Sequence, residues 1–167
     1  MTRFHFSSPA VIRSAATAAL CGAALLGALS AHAITNPPIL MSHGIEYMSG
    51  GIGKDEAALM RTVSPRWPAS FEFATKSGNG ADFAASVHVT VRDSSGKAVL
   101  DNVVSGGPFM VARLDPGDYV VEAQLGGQTL KQPLHVIAGV DAKATFVFPP
   151  GTDMASAGAP HAAPAPQ

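Results

Sequence analysis

A chain of 167 residues with 47% hydrophobic and 14% charged side chains has the size and apolar content of one ordinary folded domain. Its net charge of −1 excludes the cationic surface that nucleic-acid binding needs. A single cysteine excludes a disulfide framework, so the fold must rest on packing alone.

The chain opens with Arg3 and Arg13 in a polar start, runs through an Ala- and Leu-rich apolar stretch from Ser14 to Ser30, and reaches Ala31-His32-Ala33. That order predicts a signal peptide over residues 1–33 with a small-x-small cleavage site, a mature chain from Ile34, and a periplasmic or secreted address. The apolar stretch is broken by small residues and falls short of the roughly 20 strongly apolar residues of a span, so no membrane span is expected after cleavage. Cys21 lies inside this leader, behind Leu20, where lipid attachment wants a small residue. The mature chain is therefore expected to carry no thiol. Losing Arg3 and Arg13 takes the 11 basic residues to 9 against 12 acidic ones, a mild acidic balance.

Residues 34–68 read as an N-terminal arm. Asn36-Pro37-Pro38 favours an extended start, and Ser49-Gly50-Gly51-Ile52-Gly53 gives little reason for regular structure. Lys54 to Val63 then predicts a short helix: Asp55 and Glu56 suit its N-terminal end, Ala57, Ala58, Leu59 and Met60 are good formers, and Pro65 stops it. From Ala69 the period changes to two. Phe71 and Phe73 flank Glu72. Ser77-Gly78-Asn79-Gly80 breaks that strand, and Val87, Val89 and Val91 alternate with polar residues in the next.

Asp93-Ser94-Ser95-Gly96 turns the chain into a strand from about Lys97 to Val104, and Ser105-Gly106-Gly107-Pro108 separates it from Phe109 to Leu114. After Leu114-Asp115-Pro116-Gly117, residues Tyr119, Val121, Ala123 and Leu125 face one way and Val120, Glu122 and Gln124 the other. Gln128 to Ile137 follows as a strand in which Pro133, lacking an N–H, argues for an edge or a bulge. Ala142 to Phe148 closes the domain with Ala144, Phe146 and Phe148 on one side. About seven short strands spaced by turns predict an all-β, antiparallel Ig-like or transthyretin-like sandwich over 69–148, with one short N-terminal helix. The Ala/Pro-rich residues 149–167 hold too little apolar bulk to offset chain entropy and read as a disordered tail.

The run Val87 to Val91, the turn Asp93-Ser94-Ser95-Gly96, and the stretch Leu114-Asp115-Pro116-Gly117-Asp118-Tyr119 resemble the carboxypeptidase regulatory-like domain, a transthyretin-like sandwich. In the turn built on Leu114, Pro116, Gly117 and Tyr119, proline fixes the bend, glycine takes a backbone angle other residues avoid, and the tyrosine ring enters the core with its hydroxyl near an edge. The resemblance covers about 70–148. Tyr47 through Glu56 is similar to the leader-proximal part of small secreted bacterial proteins carrying this domain. What the resemblance implies is a non-catalytic folding, positioning or binding module. An enzyme of the same fold that hydrolyses 5-hydroxyisourate ends on Tyr-Arg-Gly-Ser, whereas the last strand here ends Phe146-Val147-Phe148-Pro149.

Chemistry is scarce along the chain. The mature histidines His43, His88, His135 and His161 have no metal-pair spacing. A phosphate loop over Ser49 to Lys54 would need glycine at Met48 and Ser or Thr at Asp55. No Gly-x-Ser-x-Gly elbow appears, and the carboxylate pairs Asp55/Glu56 and Asp115/Asp118 sit at a helix start and in a turn. No catalytic, metal or cofactor residue is assigned, and no enzyme is expected. Tyr47 and Trp67 are the aromatic residues expected outside the sandwich proper, as a binding surface for a protein pocket or a sugar; Trp67 could equally cover the open end of a sheet.

The functional expectation is a secreted or periplasmic interaction module engaging an envelope or secreted protein through its loops, the Tyr47 to Arg66 arm or a strand edge. The alternatives are a starch-binding-like carbohydrate module, which requires an exposed Trp67, and an unrecognised hydrolase, which requires His88, His135 and a carboxylate to converge.

Overall fold

The computed structural model describes residues 36–152. The leader expected over 1–33 and the tail from 153 lie outside the described residues. Ten strands and one α-helix are found among those described: β1 (Ile39–Ser42), β2 (Ile45–Gly50), α1 (Lys54–Val63), β3 (Ala69–Ser77), β4 (Gly80–Phe83), β5 (His88–Asp93), β6 (Ala98–Val104), β7 (Phe109–Ala112), β8 (Gly117–Leu125), β9 (Gln128–Val136) and β10 (Ala142–Phe148). A 3₁₀ turn, Ser64–Arg66, follows α1.

The strands make two sheets. The first runs β1-β2-β7-β3-β10 with β4 also on β3; the second runs β6-β5-β8-β9. The period-two residues supply the faces that meet: Phe71, Phe73, Met110, Phe146 and Phe148 from one sheet pack with Val89, Val91, Leu100, Val121, Ala123 and Leu134 from the other. Their alternate neighbours Lys143, Thr145, Val147, Val120 and Gln124 stay exposed. Burying such side chains is the main favourable term for a chain with no cross-link.

Three strands exceed the expected seven. β1 and β2 occupy the arm that reads as irregular, and β4 follows the turn that reads as a break. The cause for β1 and β2 is a two-residue hairpin at His43-Gly44, where both residues take positive φ, 48° and 85°. That is the type I′ turn whose twist matches two antiparallel strands, and glycine at its second position makes it affordable. β2 then adds to β7, with Tyr47 opposite Ala112 and Met48 opposite Val111.

The sandwich is also not wholly antiparallel. β10 lies parallel to β3, from Ala142 opposite Ala69 to Phe148 opposite Thr75. The chain arrives from its last turn at the end where β3 begins, fixed by Ala142 N–H to the Pro68 carbonyl at 2.9 Å, and from there it can only run alongside. The other side of β3 is shared: β7 pairs with its first half and β4 with its second. At the junction Phe73 donates its N–H to Pro108 and accepts from Ala84, so no main-chain group is lost there.

Helix α1 makes a third layer. Ala57 and Met60 pack with Met48, Trp67, Phe109 and Val111 on the outer face of β2 and β7. The glycine-rich lead-in is packed rather than loose: Glu56 accepts the Gly51 N–H at 3.0 Å, and Ser49 Oγ donates to the Phe109 carbonyl while accepting from Gly106 N–H at 2.9 Å.

Candidate binding surface

Strand β1 pairs only with β2 and has no hydrogen-bonded strand on its other edge among the described residues, although it lies beside β6. Its register settles which groups are open. Ser42 opposite Ile45 closes the two-residue hairpin, so it is a hydrogen-bonded pair; Leu40 opposite Tyr47 is the next one, and Met41 and Ile39 fall between. The main-chain groups of Ile39 and Met41 therefore point away from β2. The same alternation turns Glu46 towards β7, where its carbonyl accepts Arg113 N–H at 2.9 Å. Ile39, Leu40 and Met41 are 57, 47 and 67% exposed, a run of apolar side chains on an open edge.

The opposite edge, β9, is dressed differently. It carries Lys131 and Pro133, and its Gln132 Nε2 donates to the Thr145 carbonyl of β10 at 2.7 Å, closing the seam between the sheets. The placement of Pro133 on an edge strand matches its missing donor.

Of the two aromatic residues singled out for binding, Tyr47 is half-buried against the sandwich core beside β1. Trp67 is 7% exposed, packed under α1 with the Arg113 guanidinium 4.6 Å over its ring and held in turn by Glu46 at 2.8 Å. No open indole face is offered to a sugar.

The turn Leu114–Tyr119 is anchored at both ends. Leu114 is 2% exposed, and the Tyr119 hydroxyl donates back to the Asp115 carbonyl at 2.9 Å, bridging the bend at the surface. Gly117 does not take the left-handed angle expected of it; it starts β8 with ordinary strand geometry, and a Cβ there would only touch the Tyr119 ring at 3.7 Å. Burial pushes the Tyr119 phenol above its ordinary value of 10.0, and the carboxylates of Asp115 and Asp93 act in the same direction. Above that pH the unfolded chain gives up its proton first, so the native state binds more protons and stability falls as pH rises. Tyr119→Phe is expected to remove that alkaline loss while costing about 1 kcal/mol at neutral pH for the missing bond. Urea midpoints of the two proteins from pH 7 to about 11 check it.

Beside this turn a shallow cleft of about 380 Å³ is lined by Asp93, Ser94, Asp118, Tyr119, Val120, Pro133 and His135. His135 Nδ1 meets Asp118 Oδ1 at 2.6 Å, but the two side chains are 62 and 77% exposed and Ser94 makes no hydrogen bond to the imidazole. Asp93 is held below its ordinary range chiefly by the Ser95 hydroxyl, with help from the Lys97 and Ser95 N–H groups. His88 meets Asn102 at 2.8 Å. It sits opposite Gln124 while His135 sits opposite Asp118, six residues and so about 20 Å away along β8. The two histidines do not converge.

Among the described residues no group of three or more His, Cys, Asp or Glu could hold a metal, and no helix is long and apolar enough to cross a membrane. The phosphate-loop position is filled by the protein itself, since Glu56 already takes the Gly51 amide. Compared with family models and with curated proteins, the chain matches none.

Proposed function

We propose that the chain is a non-catalytic interaction module of the periplasm or the secreted space, a carboxypeptidase-regulatory-like, transthyretin-type sandwich that binds an extended segment of an envelope or secreted protein by strand addition at β1. The observation that carries this reading is the edge itself: outward main-chain groups at Ile39 and Met41, flanked by apolar side chains up to 67% exposed. An added strand gains main-chain hydrogen bonds along that edge and fits its alternate side chains against Ile39 and Met41 on one face and Leu40 on the other. Folded proteins blunt free edges with charge, proline or cover. β9 has all three in Lys131, Pro133 and Gln132, whereas β1 carries neither charge nor proline. The leader-like start supports the address, and the Leu114–Tyr119 turn with the two packed sheets supports the family.

Met41→Pro tests the mode of binding. Its N–H is not used by β2, so proline removes an outward donor while sparing the β1–β2 ladder. Tagged protein exported to the envelope is expected to retain a partner that the Met41→Pro variant loses by about tenfold, with the unfolding midpoint unchanged. A Val120→Lys control on the opposite sheet is expected to keep it. Equal retention by all three proteins would remove β1 from the account.

A further inference from the structure

We infer that the cleft between α1 and the uncovered outer face of β3 and β10 is a second, separate site that takes a small zwitterion, an amino acid or short peptide, with its carboxylate on Arg61 and its ammonium on Glu72. Helix α1 packs mainly on β2 and β7, leaving a hollow of about 290 Å³ beside it, lined by Arg61, Ser70, Glu72, Phe109 and Lys143 among others. That is room for one ligand of amino-acid size.

Two charges in this hollow are unspent. The Arg61 guanidinium lies 5.0 Å from the Phe109 ring centroid and 5.5 Å from that of Phe83, and it makes no hydrogen bond or ion pair among the described residues. Stacking holds the fork in place while leaving its N–H edge open, the arrangement that receives a carboxylate in two bonds. Glu72, partly buried on β3, is likewise without a hydrogen bond or ion pair. Its neighbours are committed elsewhere: Ser70 donates to Asp141 at 2.9 Å, and Lys143 leans on Asp141 at 3.9 Å.

An ammonium would give Glu72 the charged partner it lacks among the described residues. A ligand bearing both charges satisfies both ends, while Phe109 in the same lining offers an apolar contact to its side chain. The cleft shares no residue with β1, so the two sites stand or fall independently.

The test is an NMR titration of the full ¹⁵N-labelled protein with L-phenylalanine and with the dipeptide Ala-Phe, each compared with its N-acetyl and C-amide forms. The expected result is a saturable shift at the Arg61 side chain and the Ser70 and Glu72 amides, weakened about tenfold by either blocking group and about tenfold by Arg61→Gln or Glu72→Gln. The tighter of the two probes identifies the source as a free amino acid or a peptide. Circular dichroism melts of both variants confirm that they fold. No saturable shift at about 20 mM of either probe, far above the affinity a ligand of this size can reach in a fitted site, overturns the proposal. Blocked forms or folded variants that bind as well as the parent pair do the same.

Discussion

Phe146→Ala is expected to cost about 3–5 kcal/mol. Phe146 is 0% exposed in the middle of β10 and stacks on Phe73 with ring centroids 5.9 Å apart. Removing it loses the transfer energy of a whole ring and also opens a void that Phe71, Phe148 and the valines of β5, pinned by their strands, cannot collapse into. A domain of this size has a total stability of about 5–15 kcal/mol, so the variant should be marginal at 25 °C and unfolded well below the parent's midpoint. Chemical denaturation measures it, and a loss under about 1 kcal/mol would mean that the two sheets do not meet at this ring.

Gly107→Ala is the second large effect, from the opposite physical cause. A methyl at Gly107 would run into the main-chain carbonyl of Gly50, a contact that no rotamer change relieves because both atoms belong to the backbone. The same corner holds Ser49, bonded both to the Phe109 carbonyl and to Gly106 N–H, so a shift in one loop pulls β2, β7 and the start of α1 together. Roughly 3 kcal/mol of destabilisation is expected, at the upper end for overpacking. Amide exchange should show the loss concentrated in β2 and its contacts with β7. A silent Gly107→Ala would mean that the close approach of these two glycine loops is absent.

The sandwich core is legible in the sequence wherever one face is wet. In β5, β8 and β10 the alternation of Val89, Val91, Val121, Ala123, Ala144 and Phe146 with polar neighbours reports burial directly, because the second sheet and the β10 edge each leave one face to solvent. β2 carries no such signal. Tyr47 packs into the sandwich and Met48 under α1, so both faces are apolar and the period disappears. β1 hides for the reverse reason, since Ile39, Leu40 and Met41 are all exposed and their order reflects no inside or outside. β4 is four exposed residues whose one strand partner among the described residues is β3.

The parallel placement of β10 could not be read at all. It follows from where the last turn delivers Ala142, a tertiary circumstance with no local residue signature. The candidate sites share that difficulty. Tyr47 neighbours the open edge in fact, but the edge depends on pairing register rather than composition, and Trp67 is hidden by an arginine 46 residues further along. Arg61, Glu72 and Lys143 come from a helix and two strands of one sheet. Only the fold puts their charges in one cleft.

The claim on which the functional account rests is that β1 is the docking edge. A photo-crosslinking side chain placed at position 41 and, as a control, at position 120 on the exposed face of the opposite sheet tests it in the intact envelope. The account predicts one discrete adduct from position 41, lost when Met41's neighbour Ile39 is replaced by proline, and none from position 120. The same adduct from both positions, or adducts from position 120 alone, would contradict it.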